Sequence, residues 1–449
     1  MPCIGEHREL AERHEAGAQM NKRTSLTLAI WAVGACALAV RLALVIWAGI
    51  APETPLTGGS DTFAYQALGD SIVLHHGLSY AGMPTALRPP LYPLFLAFGQ
   101  FVAGANYRVF ARAIQFFAGI LLAFACAKAA RKLGGSAAVA FAIALAAPTL
   151  VFFSAEILSE TFAALIAAAF LCAMVAEANP VWIGALIGIG MLERFNLAAL
   201  AVAYLVYEFA AKKPSDAARR VALAGAVAVA LVSPWFVRNL IVFHGQVVYS
   251  THTGTNLLQG ILTPDGRTQR GDVGKLEAAA GWTISDIETN SPSRTAFPPE
   301  PELDRMAMKA AVAQLAHANP LALGARKLGY FWLSLDQLLR TQDLSRKKRG
   351  VRVLGIFVYW VLLAIGVVGW WRLRSTHRDA ALLFASYAAV VTAMHLPFVM
   401  NTRIRAPLVE PALAILVGLA LAGFAGTAET GPEGEGSSGA PLTQGRRNS

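Results

Sequence analysis

Apolar residues recur along this chain in runs of about twenty, separated by short polar punctuation. The runs fall at 26–50, 107–127, 136–153, 157–176, 218–241, 351–371, 380–400 and 406–426. Residues 180–211 read as a tight pair of shorter runs, interrupted at "ERFN" (193–196). About twenty apolar residues cross a bilayer as a helix. The pattern therefore predicts an all-α polytopic membrane protein with about ten transmembrane helices. The run "PPLYPLFLAFGQFVAG" (89–104) is shorter and is expected to lie in the outer interface or dip into it. Residues 327–345 can be counted as crossing or not, and not crossing is the simpler count.

Polar stretches complete the organisation. Residues 1–25 form a charged tail, expected in the cytoplasm, and the first apolar run reads as a retained span rather than a cleaved signal. A first transmembrane module takes in 26–241 and includes an external loop at 51–106. Within that loop, "DTFAYQALGDSI" has apolar side chains at Phe63, Ala64, Ala67 and Leu68, a spacing that suits a short amphipathic helix on the membrane surface. Residues 242–350 make a larger external loop, with a helix expected over 303–317. Transmembrane helices return at 351–426, and 427–449, rich in Gly, Ser and Glu, is expected to be disordered.

Charge sets the orientation. With the N-terminus inside, Lys128, Arg131, Lys132, Lys212, Lys213, Arg219, Arg220, Arg372, Arg374 and Arg378 all fall on the cytoplasmic side, as the excess of Lys/Arg in cytoplasmic loops requires. The cluster Arg346–Arg349 resists this count, beside a long loop where the rule weakens. The composition agrees with the pattern: 55% hydrophobic and 15% charged residues, against about 25% charged in soluble domains. A net charge of +10 is then a topology signal, and no basic stripe with interleaved aromatics points to nucleic acid. The four cysteines, Cys3, Cys36, Cys126 and Cys172, supply neither a loop disulfide framework nor a zinc motif. The Ala-rich composition suggests a bacterial cytoplasmic (inner) membrane.

Polar chemistry collects on the predicted outer side. Asp61 follows Gly58 and Gly59 just beyond the first span, where a helix N-cap is the plain alternative. Glu156 and Glu160, in "SAEILSETF", are spaced i, i+4, which places both carboxylates on one helical face near the outer boundary. Acids inside a membrane usually face a wet cavity or a partner. Arg403 and Arg405, in "NTRIRAP", stand at the outer end of the last span, and Arg88 precedes Pro89 and Pro90. Guanidinium forks match phosphate oxygens, although lipid headgroups are an alternative ligand. The inner side has only short basic loops.

These landmarks resemble the GT-C class of polytopic glycosyltransferases, in particular family 39-like and aminoarabinose-transferase-like bacterial proteins. The resemblance rests on Asp61 with Tyr65, on "RPPLYPLFLA" with Tyr92, on "ILSETFAALI", on "SPWFVRNLIVFHGQVVYSTHTGTNLLQG" with Arg238, Asn239 and Asn256, and on "RIRAPLVEPALAILVG". Departures are Thr62 where relatives carry a second acid, Ile404 in place of a tyrosine, and "LERFN", which keeps Arg194 without the usual proline.

The resemblance implies a GT-C-like bundle and transfer of a sugar from a polyprenyl-phosphate donor to a glycan, lipid or protein hydroxyl. Asp61 is then the expected general base, with Glu160 and Glu156 beside it. Arg88, Arg403 and Arg405 are expected to hold the donor phosphate, and Tyr65, Tyr92, Arg194, Arg238, Asn239 and Asn256 to shape the cavity. Some relatives use a divalent metal. Here His75, His76, His252 and His395 show no ligand spacing, and no metal ligands are assigned. The competing class is a flippase or transporter of a lipid-linked saccharide. It would also want acids and arginines, but it tends to show repeats and midplane charges.

Overall fold

The computed structural model describes residues 25, 27–48, 60–80, 82–264, 299–339 and 346–422. The 427–449 tail and nearly all of the 1–25 tail lie outside the described residues, as does the middle of the large loop. The described residues are mainly helical, with one two-stranded hairpin among them, β1 (Ser79–Tyr80) and β2 (Met83–Pro84). Long apolar helices are α1 (Thr27–Ala48), α4 (Tyr107–Lys132), α10 (Pro214–Val242) and α15 (Arg346–Thr376). Between them lie α5 (Ala137–Ala146), α6 (Pro148–Ala155), α7 (Glu160–Val175), α8 (Pro180–Glu193) and α9 (Ala199–Ala211). The chain ends with α16 (Arg378–His395) and α17 (Thr402–Ala420). Among the described residues, four helices are long and apolar enough to cross a membrane, or five if the bent α5–α6 pair is one span.

The elements between these helices are α2 (Ser60–Val73), α3 (Leu91–Ala103), α11 (Thr253–Leu262), α12 (Glu300–His317), α13 (Pro320–Leu333) and the short α14 (Leu335–Leu339). Residues 91–132 form a 42-residue apolar stretch, which at 1.5 Å per residue would run about twice the hydrocarbon thickness. A break at Gly104, with φ of 53°, separates α3 from α4. α3 buries Tyr92, Leu96 and Ala97 and exposes Leu94, Phe98 and Phe101, as expected of a helix lying in an interface. α2 also forms as expected, but its buried face is Thr62, Tyr65, Gln66, Leu68 and Gly69, and Phe63 points outward. The buried tyrosine, not the phenylalanine, sets the face because its hydroxyl has a partner beneath it.

Two breaks shape the core. Pro148 forces Ala147 out of helical geometry (φ −55°, ψ 113°), and α5 and α6 meet at 56°. A second break at 156–159 separates α6 from α7. Helix breaks in hydrocarbon leave carbonyls that no water can satisfy. Arg41, fully buried on α1, supplies the donors: its guanidinium reaches the carbonyls of Leu145 (2.9 Å), Ala144 (3.2 Å) and Leu150 (3.3 Å). Arg112 on α4 does the same for Ala155 and Ala48, both at 2.9 Å. Both arginines stand inside or at the edge of apolar runs, where an ionisable residue marks a special demand. The surrounding helices approach closely through small residues. A Cβ on Gly184 of α8 would collide with the Ala224 carbonyl of α10. The core lies along α7 and α17, which are buried on nearly every side.

Candidate active site

α7 and α17 both begin at the same end of the bundle, and α8 ends there, so three helix ends frame one cavity. α2 and the 85–90 segment close it from outside. The cavity measures about 500 Å³ and is lined by Asp61, Tyr65, Arg88, Arg194, Asn256 and Arg403, among others. Its charged groups form one connected chain. Arg88 and Arg403 each donate to a different oxygen of Asp61. Arg403 Nε donates to Glu160 Oε1 at 2.5 Å, and Arg194 reaches the same oxygen at 2.9 Å. Ser159 Oγ accepts from Arg194 (2.9 Å) and shares a hydrogen bond with the Tyr65 hydroxyl (3.0 Å). Three guanidiniums thus face two carboxylates. The N-termini of α7 and α17 add partial positive charge at the same end.

Removal from bulk water by itself raises the Asp61 pKa. Arg88 and Arg403, with a smaller contribution from Arg194, overturn that effect and hold the carboxyl well below the usual carboxylate range. His252, just before α11, lines the same cavity, and burial followed by repulsion from Arg88 pushes its pKa down to about 4.

The expected residues separate into three groups. Asp61, Glu160, Arg88, Arg403, Arg194 and Tyr65 meet in the charged network, and Asn256 lines the cavity wall. Tyr92, Arg238 and Asn239 stand behind it. Tyr92 packs edge-on to Tyr65 at 4.9 Å and donates to Gln115 at 2.6 Å. Arg238 holds the carbonyls of Leu78 (2.7 Å) and Thr85 (2.8 Å), which fixes the hairpin leading into Arg88. Asn239 donates to the Val248 and Tyr249 carbonyls, each at 3.3 Å.

Two expectations are corrected. Glu156 and Glu160 do not share a helical face: Glu156 has extended backbone after α6, and α7 starts only at Glu160. Glu156 is fully buried away from the cavity, near Arg112, and its carbonyl accepts from Gln115 at 2.6 Å. Arg405 does not pair with Arg403 over a ligand. Both lie in the first turns of α17, where two residues are about 200° apart around the axis. Arg405 points inward, donating to Ser334 Oγ (2.7 Å), the Phe331 carbonyl (3.2 Å) and Glu410 (3.3 Å), under the Tyr359 ring.

Several residues at the site were not singled out from sequence. Asp336 on α14 is fully buried and accepts from the Thr402 hydroxyl (2.8 Å) and amide (3.2 Å). Asn401 caps α17 by accepting from Ile404 N at 3.0 Å. Lys327 donates to the Leu396 (2.7 Å) and Pro397 (3.0 Å) carbonyls. Together these anchors fix the turn that presents Arg403. Glu300 on α12 accepts from Thr251 (2.8 Å) and Thr85 (3.0 Å), tying the large loop to the approach to Arg88. Among the described residues, no three of His, Cys, Asp or Glu converge as a metal-ligand set.

Comparison with known proteins follows the same lines. Residues 87–237 match the family model described as dolichyl-phosphate-mannose-protein mannosyltransferase. The oligosaccharyltransferase of Archaeoglobus fulgidus in its apo form aligns with a TM-score of 0.51 at 15% identity, over 87% of this chain and 50% of that one. The same archaeal enzyme, AglB, in complex with an inhibitory peptide and a dolichol-phosphate, aligns with a TM-score of 0.50 at 13% identity and the same coverage. ArnT from Cupriavidus metallidurans, bound to undecaprenyl phosphate, aligns at 19% identity with a TM-score of 0.39, over 89% of this chain and 78% of that one. No curated protein matches the chain. The fold is that of a polytopic helical membrane protein, shared with the archaeal oligosaccharyltransferase. The chain spans about half the length of the archaeal enzyme with which it shares a fold.

Proposed function

We propose that this protein transfers a sugar from a polyprenyl-phosphate-linked donor to an acceptor hydroxyl at the outer face of the cytoplasmic membrane. The observation that carries this reading is the single network Arg88–Asp61–Arg403–Glu160–Arg194 in one cavity at the end of the bundle. Its three guanidiniums and two carboxylates leave one net positive charge. A sugar phosphodiester on a prenyl chain carries one negative charge, so the count favours a monophosphate over a diphosphate donor.

The chemistry follows from the residue types. Asp61 takes the proton of the acceptor hydroxyl as its oxygen forms a bond to the anomeric carbon. The bond from that carbon to the phosphate oxygen breaks, and polyprenyl phosphate departs with the electron pair. Arg88 and Arg403 meet the charge that builds on the departing phosphate, in a pocket where donors need no reorganisation. Phosphate is a good leaving group, so this step requires no general acid. Glu160 and Arg194 hold Arg403 and the Ser159 end of α7 in register.

The test uses purified protein in liposomes with a radiolabelled polyprenyl-phosphate sugar. Release of polyprenyl phosphate, by transfer or slow hydrolysis, is the expected outcome. Movement of intact donor between leaflets without turnover would instead identify a flippase and overturn this reading.

A further inference from the structure

The charged network ties the proposed base, Asp61, to two cations. Both oxygens of Asp61 are engaged, one by Arg88 and the other by Arg403. A carboxylate gripped by two guanidiniums is a weak proton acceptor, because protonation would cost both charge-assisted bonds. These two arginines are also the cations best placed to receive an anion. Arg88 approaches from the segment before α3, Arg403 from the start of α17, and both line the 500 Å³ cavity. Glu160 and Arg194 complete the chain without a bond to Asp61: Arg194 and Arg403 meet at Glu160 Oε1.

We infer that donor phosphate and the Asp61 carboxylate compete for the same two guanidiniums, so that donor binding is what releases the base. This inference rests on the proposed donor chemistry and adds an order to it. The phosphate of the donor takes over bonds from Arg88 and Arg403. Asp61, released from both guanidiniums, recovers basicity at the moment a sugar is present to be attacked. Without donor, an acceptor hydroxyl meets a neutralised carboxylate. Asp61 is therefore a specificity-determining residue as well as the base: it makes acceptor activation conditional on a bound phosphate.

The consequence runs against the usual result of deleting a catalytic acid. Asp61→Asn removes the competing charge while keeping side-chain size, so the variant binds the anion more tightly. The experiment is a titration of full-length wild type, Asp61→Asn and Glu160→Gln in nanodiscs with undecaprenyl phosphate, with thermal unfolding recorded for each. The expected result is about a tenfold lower Kd for Asp61→Asn, the scale of one charged hydrogen bond, with no transfer activity. Glu160→Gln, which relieves Arg403 and Arg194 but leaves Asp61 on both of its arginines, shifts Kd in the same direction by less. A wild-type-like or weaker Kd in a folded Asp61→Asn protein overturns the inference. Failure of the wild type to bind undecaprenyl phosphate would instead overturn the donor reading beneath it. If Asp61→Asn unfolds, Glu160→Gln decides alone: an unchanged or weakened Kd overturns the inference.

Discussion

Arg403, in the first turn of α17, hydrogen-bonds Asp61, which lies 342 residues earlier in the chain. No local propensity brings these two together. The contact exists because α17 packs along α7 and starts level with it, while α2 folds back over the same end of the bundle.

Arg403 and Arg405 are therefore expected to behave differently when replaced. Arg403→Ala should weaken undecaprenyl phosphate binding by about tenfold or more, the scale of one or two charged hydrogen bonds. Arg405→Ala leaves Glu410 buried without its cation, a change that costs roughly 3–5 kcal/mol. It should appear first as loss of thermal stability in detergent, with little change in donor affinity of the surviving protein. Equal affinity losses from the two variants would contradict the assignment.

The pH dependence should split between free and donor-bound enzyme. In the free site, Arg88 and Arg403 hold the Asp61 carboxyl below its usual range. The stability this contributes is present above the unfolded value of about 3.9 and is lost as pH falls through the depressed folded value. The acid limb of kcat/KM reports the free enzyme and that of kcat the complex. Once phosphate occupies the arginines, shielding from water dominates and the pKa rises. The kcat limb should then lie at higher pH than the kcat/KM limb. Facing Asp61 are Arg88, Arg403, Arg194, Glu160, Tyr65 and His252, and burial with repulsion from Arg88 lowers His252 to about 4. His252→Gln should preserve the separation; coincident limbs in the wild type would refute it.

Asp336 touches no cavity group, yet it anchors the helix start that carries Arg403. Asp336→Ala should raise the donor KM several-fold more than it lowers kcat, by loosening the presentation of Arg403. Asp336→Asn, which keeps an acceptor for Thr402, should recover most of the KM. A purely structural residue would reduce the active fraction and leave KM unchanged in both variants.

Arg41 makes a prediction about the fold. Removing its three bonds to carbonyls at the α5–α6 break strands acceptors in hydrocarbon, at about 1–3 kcal/mol each. Arg41→Ala should lower the detergent unfolding midpoint markedly, and Arg41→Lys, with one point donor, should recover only part of it. A wild-type midpoint for Arg41→Ala would remove this role.

Much of this architecture was legible in the chain. The apolar runs marked the helices, "ERFN" marked the α8–α9 break, and the acids and arginines between runs marked the end of the bundle that holds the cavity. The errors have physical causes. Starting the last span at 406 left Arg403 and Arg405 outside a helix, where both could reach one ligand. The helix in fact begins at Thr402, and its twist turns them apart. Glu156 and Glu160 were read on one helix because no Gly or Pro announces the break at 156–159. Arg41 and Arg112 did carry a signal, as charges within apolar runs. Asp336 carried none, because its role depends on a tertiary contact 66 residues away.

The most direct measurement of the central claim compares wild type with Asp61→Asn in one liposome preparation, following release of polyprenyl phosphate from a labelled sugar donor. The wild type should release it with transfer or hydrolysis of the sugar, and the variant should fall below about one per cent of that rate while still binding undecaprenyl phosphate. Equal turnover by the two proteins would contradict the account.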